Sequence, residues 1–154
     1  MTEVNVQYGG FWARVVASLV DTLLIMLVVG PVLYSIYGET YFSAGDLSAG
    51  RWDFILNYIV PALVVVIFWI YKSATPGKML MKLTIVDANT GGKPSNGQFI
   101  GRYFAYYLSA LPFLLGFLWV AWDARKQGWH DKLAKTVVVV ERSSEEPVRF
   151  DKQV

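Results

Sequence analysis

Between Val15 and Tyr37 the sequence carries one charge, Asp21, in 23 residues. At 1.5 Å of rise per residue that stretch makes a helix of about 35 Å, enough to cross a hydrocarbon core of about 30 Å with some tilt. A helix apolar on every side needs lipid or a large protein core around it, and 154 residues supply no large core. Composition agrees, since 55% of the residues are hydrophobic and 17% charged, against roughly 25% charged in an average soluble domain. The chain reads as an all-α membrane protein.

Two further apolar runs follow. Phe54 to Tyr71 has no charge over 18 residues, near the lower end of the spanning range of about 17 to 25. Tyr103 to Trp122 is uncharged over 20 residues but is interrupted by Pro112 and Gly116. Trp12, Trp52, Trp69, Trp119 and Trp122 lie at or near the segment ends, where an amphipathic ring suits the headgroup level. The first run is longer than the apolar core of a signal peptide and no Lys or Arg precedes Arg14, so a retained helix is expected.

Basic residues set the sides of the membrane, because Lys and Arg are retained in the cytoplasm. The connection from Gly38 to Asp53 carries Arg51 against Glu39, Asp46 and Asp53, and is expected outside. The connection from Lys72 to Arg102 carries Lys72, Lys78, Lys82, Lys93 and Arg102 with one acid, Asp87. It is expected in the cytoplasm, which puts the N-terminus and Arg14 there too.

Arg125, Lys126, Lys132, Lys135 and Arg142 also favour the cytoplasm, yet a third full crossing would carry them outside. Two readings of the third run stay open. In one it is a re-entrant hairpin, with Gln98 to Ala110 going in, Leu111 and Pro112 turning the chain and Phe113 to Trp122 returning. Its broken backbone must then be satisfied within protein or a wet cavity, since lipid offers no hydrogen bonds. In the other it is a single Pro-kinked spanning helix. The strands "KLTIVD" (Lys82 to Asp87) and "TVVVVE" (Thr136 to Glu141) favour the hairpin, because they can pair into a small cytoplasmic β element only if both lie on one side. Residues 1–142 then form one membrane domain, and 143–154, polar and of mixed charge, a mobile tail.

Asp21 lies about 9 Å into the apolar helix. A carboxylate there is costly unless it faces other helices or water, and ionisable groups inside membranes mark pathways or pairs. Two readings stay open here as well: an ion or proton site, or a packing bond to a hydroxyl or amide such as Asn57, Ser109, Tyr103, Tyr106 or Tyr107. Arg14, two turns earlier on the same face, reads as a topogenic residue that contacts lipid phosphate.

Several chemistries are excluded. Without cysteine there is no disulfide, thiolate metal site or cysteine nucleophile. The single histidine, His130, rules out a His-rich metal cluster, and no cofactor is expected. "TPGK" (Thr75 to Lys78) lacks the first glycine and the Ser or Thr of a phosphate-binding loop, and reads as a helix stop. The basic residues Lys72, Lys78, Lys82 and Arg102 beside a membrane helix fit anionic lipid headgroups rather than nucleic acid. No nucleophile and base stand at usable spacing, so an enzyme is not expected.

Three stretches carry a family resemblance: "FWARVVASLVD", with its arginine and the aspartate seven residues later inside the first helix, "TPGKMLMKLTIVDANTGGKPS", and "GWHDKLAKTVVVV". Together they resemble the RDD family of bacterial membrane proteins over about residues 9 to 141. The arginine and two aspartates for which that family is named fall on Arg14, Asp21 and Asp131. The resemblance implies the bacterial inner membrane and a transport role, some members being described as Na⁺/H⁺ antiporters. If Arg14 and Asp131 share the cytoplasmic face, they are expected to bridge and dock the C-terminal strand onto the first helix.

Two functions follow as expectations. One is cation/proton exchange, Na⁺ and H⁺ competing for Asp21, in a homo-oligomer large enough to build a pathway. The other is a membrane scaffold or accessory subunit that binds a partner protein, with Arg14, Asp21 and Asp131 serving packing.

Overall fold

The computed structural model describes residues 6–39 and 53–140. The proposed tail, Arg51, Trp52, Asp46 and Arg142 lie outside the described residues.

Helix α1 (Phe11–Tyr37) is 27 residues long, about 40 Å at the usual rise. Its burial is confined to Ala17 and Leu33, as expected of a helix whose other faces meet lipid. A π turn over Ile55–Ile59 opens the second span. Pro61 has no N–H to give the Asn57 carbonyl, and the wider turn relieves that defect, with Val60 N–H bonding to the Ile55 carbonyl. Helix α2 (Val60–Lys72) continues it and stops at Ser73, which adopts a left-handed conformation.

After α2 the chain turns into a short helix, α3 (Pro76–Leu80), with Thr75 at its N-cap and proline in its first turn. "TPGK" therefore starts a helix, whereas the sequence reading made it a stop; the stop lies three residues earlier. Strand β1 (Leu83–Asp87) follows and pairs antiparallel with β2 (Thr136–Val140), Ile85 opposite Val138 and Asp87 opposite Thr136. The N-terminal residues also join this sheet: Gly9 N–H donates to the Val138 carbonyl at 2.8 Å and Val140 N–H to that of Gln7 at 2.8 Å. No sequence signal pointed to that third partner.

Both faces of the sheet are covered, which explains why β2 reads VVVV rather than alternating. Leu83, Ile85 and Val138 pack on Ala17, Trp69 and Phe99, while Val86, Val137 and Val139 pack under Val6 and Tyr8. The core thus sits where the helices meet the sheet, and the spans beyond it bury little.

The third apolar run is a hairpin. Helix α4 (Asn96–Ala110) opens with a capping box, Ser95 and Gln98 each bonding the other's backbone. Its return arm is a single helical turn, α5 (Leu115–Leu118), and a 3₁₀ turn, Trp119–Ala121, bent back by 112°. Leu111, Phe113 and Leu114 form an exposed apolar tip, and Leu114 N–H and Leu115 N–H bond to the carbonyls of Ala110 and Pro112. The broken backbone is therefore satisfied by its own turn, as lipid demands. A short helix, α6 (Trp129–Leu133), then leads to β2. Because the chain leaves the sheet at β1 and returns to it at β2, both ends of this run lie at the same sheet.

Candidate functional site

Arg14 stands one turn into α1 and uses all three guanidinium nitrogens. Nε donates to the Gly9 carbonyl at 2.9 Å, one terminal nitrogen to the Lys126 carbonyl at 2.5 Å, and the other to Asp131 at 2.5 Å. A fork of fixed shape is needed for three such bonds at once, which arginine has and lysine lacks. One side chain thereby ties the N-terminal segment, the loop before α6 and α6 itself.

Asp131 is fully buried and shared. Arg102 approaches its other carboxylate oxygen at 2.5 Å, and Gly128 N–H donates at 3.0 Å. Burial alone would raise the Asp131 carboxyl, but the Arg102 and Arg14 guanidiniums override it and hold it well below the usual carboxylate range. Arg102 also donates to the Thr136 hydroxyl at 2.6 Å, which locks α4 to β2. The reading of Arg102 as a headgroup contact is corrected here: it is fully buried, on the α4 face that also carries Phe99, Ala105 and Ser109. That spacing was a sequence signal for burial, outweighed by the expectation that a basic residue at a membrane edge faces lipid. Lys78 is likewise buried, with its ammonium 5.9 Å from the centre of the Trp69 ring, and is corrected in the same way. Lys72 and Lys82 are exposed and open to headgroups.

Ser109 and His130 meet behind Asp131. The His130 backbone N–H donates to Ser109 Oγ at 3.0 Å, and that oxygen lies 3.3 Å from His130 Nδ1. The ring tautomer sets which of the pair donates, and the other ring nitrogen, Nε2, lies 3.6 Å from Asp131. Burial pushes His130 down to about 3, with Arg102, Arg14 and Lys78 adding to the effect against Asp131. The imidazole is neutral at physiological pH. Serine, histidine and aspartate are in sequence here, but Ser109 is fully buried, and a Cβ on Gly116 would lie 2.6 Å from its Cα. A substrate has no approach to that hydroxyl.

Asp21 faces α3. Its carboxylate accepts from the Thr75 hydroxyl at 2.5 Å and from Gly77 N–H at 2.7 Å, so α1 caps the short helix from outside. The approach is close enough that a Cβ on Gly77 would stand 2.1 Å from the Ala17 carbonyl oxygen. The partners expected for Asp21 are elsewhere: Asn57 bonds Asp53 at 2.7 Å, Ser109 bonds His130, and Tyr103 and Tyr107 bond each other at 3.3 Å. Beside Asp21 a cavity of about 220 Å³ lies between α1 and α2, walled by Leu24, Ile25, Val28, Val64 and Phe68. Among the described residues no group of acids and histidines is arranged to hold a metal ion.

The model of the RDD family matches residues 8–135. Among curated proteins, the chain is 31% identical to the uncharacterized protein YxaI of Bacillus subtilis over 149 residues, covering 85% of this chain and 96% of that one. It is 31% identical to the uncharacterized membrane protein YteJ of the same organism, over 88% of this chain and 82% of that one. A third relative, the uncharacterized protein RP437 of Rickettsia prowazekii, is 36% identical over 56% of this chain and 47% of its own length. No solved structure matches.

Proposed function

The chain belongs to the RDD family of membrane proteins, and from that premise we propose that it is a membrane-embedded accessory or scaffold subunit in which Arg14, Asp21 and Asp131 close the fold. One observation carries this reading: both oxygens of Asp21 accept from donors of its own chain, Thr75 and Gly77. A cation site needs converging oxygen acceptors, and the residues expected to complete one are held elsewhere, Asn57 donating its amide to Asp53 and Ser109 accepting from the His130 N–H. The little-buried spans leave apolar surface for a partner helix or a second copy of the chain. In this reading the protein lies in the bacterial inner membrane with both termini cytoplasmic, and Lys72 and Lys82 rest on anionic headgroups.

A second reading, cation/proton exchange at Asp21, is favoured by the position of that carboxylate at the wall of the cavity between the two spans. Sodium-driven proton movement in proteoliposomes separates the two. Wild type and Asp21→Asn are compared, with the folding of both checked. Absence of flux from folded wild type supports the accessory role. Flux in wild type that is lost in a folded Asp21→Asn protein defeats it.

A further inference from the structure

Lys78 is a charge for which the closure of the fold has no use. It is 7% exposed, and among the described residues no carboxylate lies within ion-pair distance of it. The Arg102 guanidinium lies 5.5 Å from the centre of the same Trp69 ring that Lys78 covers. Arg102 Nε, Arg102 Nη2 and the Trp69 indole N–H are buried without a partner in good hydrogen-bond geometry, and the Tyr106 phenol is the side chain that interacts with both Arg102 and Lys78. Native structures leave few such groups unanswered.

The charges do not balance either. Arg14, Lys78 and Arg102 are the cations, His130 is neutral, and Asp131 already answers two guanidiniums. Asp21, beside Gly77, is engaged by Thr75 and Gly77. Among the described residues of this cluster, the cations Arg14, Lys78 and Arg102 face the carboxylates of Asp21 and Asp131, and an uncompensated buried charge is strongly unfavourable. Water could accept from the orphaned donors but would leave the charge uncorrected. An oxyanion corrects both, and Arg with Lys is the pairing that recognises phosphate.

We propose that Lys78, Arg102 and the Trp69 indole N–H together bind a phosphate group, carried by a membrane phospholipid or free in solution. The full-length protein in mild detergent is titrated at constant ionic strength with phosphatidic acid and, separately, with inorganic phosphate, following thermal unfolding. Phosphatidylcholine and chloride serve as controls. The expected result is saturable stabilisation of wild type, weakened about tenfold or more in Lys78→Gln. Trp69→Phe, which keeps a ring and removes the N–H, weakens it too, and Lys93→Gln, an exposed lysine, titrates like wild type. A response to phosphatidic acid alone identifies a lipid headgroup; a response to both identifies the phosphate group itself. No saturable response to either, or Lys78→Gln and Trp69→Phe both titrating like wild type, overturns the proposal and assigns the orphaned donors to water.

Discussion

Arg14 and Asp131 stand 117 positions apart in sequence and 2.5 Å apart in space. Everything between them must therefore leave the sheet end of α1 and come back to it. Two spans, the strand β1 and the hairpin α4–α5 satisfy that condition, and β2 then follows Asp131 into the sheet that Gly9 has joined. The arginine and the second aspartate of the family name are the two sides of this closure, and Arg102, outside the name, is its third member.

Because Asp131 is shared, replacing it leaves two guanidiniums facing each other in a buried place. Asp131→Asn is expected to cost about 3 to 5 kcal/mol. Exchanging the charges, Arg14→Asp with Asp131→Arg, is expected not to restore stability, since the new arginine would stand against Arg102. Chemical unfolding in detergent measures both, and full rescue by the exchange would show that Arg102 is not part of the cluster.

Arg14→Lys keeps the charge and loses the fork. Lysine cannot hold Gly9, Lys126 and Asp131 together, so a loss of about 2 kcal/mol or more is expected from the charge-assisted bonds removed. Equal stability of the lysine protein would mean that charge alone matters here.

At the other contact the steric demand exceeds the electrostatic one. Gly77→Ala drives a methyl against the Ala17 carbonyl and is expected to part α1 from α3, at a cost of several kcal/mol. Asp21→Asn keeps one acceptor for Thr75 or Gly77 and is expected to lose only about 1 kcal/mol. Thermal unfolding of the two proteins side by side tests the order.

Stability is expected to fall with acid in two steps. His130 binds its proton near 6.5 when unfolded and only near 3 when folded, so its contribution is complete above pH 6.5 and is lost as pH falls from there. Asp131, held below its ordinary 3.8, contributes fully above that value and loses its share below it. The first step has a slope of roughly 1 kcal/mol per pH unit. Unfolding measured between pH 7.5 and 4.5 should show it, and His130→Gln should flatten it.

The spans were legible because apolar length is a one-dimensional property, and so were the strands, whose β-branched runs stand apart from the membrane segments. Charge weighed toward the hairpin, since Arg125 to Lys135 cannot sit opposite Lys72 to Arg102 without cost, but a Pro-kinked crossing stayed open in the sequence because only the pairing of β1 with β2 brings the two ends together. The partners of Asp21 were not, because they come from the Thr75–Gly77 turn, whose glycine is there for close approach and whose proline looked like a stop. Arg102 was misplaced for a related reason: at a membrane edge one basic residue can face lipid or turn inward, and only the three-dimensional position of Asp131 decides. The segment at Gln7–Gly9 carries no pattern at all, being held by backbone bonds to Val138 and Val140.

The return of the chain to its starting side is the most direct point to test. With no native cysteine, single cysteines at Glu39, Lys93 and Lys132 can each be labelled with an impermeant maleimide in sealed, oriented vesicles. The expected result is labelling of positions 93 and 132 from one side and of 39 from the other. Labelling of 132 together with 39 would contradict the hairpin, the sheet and the Arg14–Asp131 bond at once.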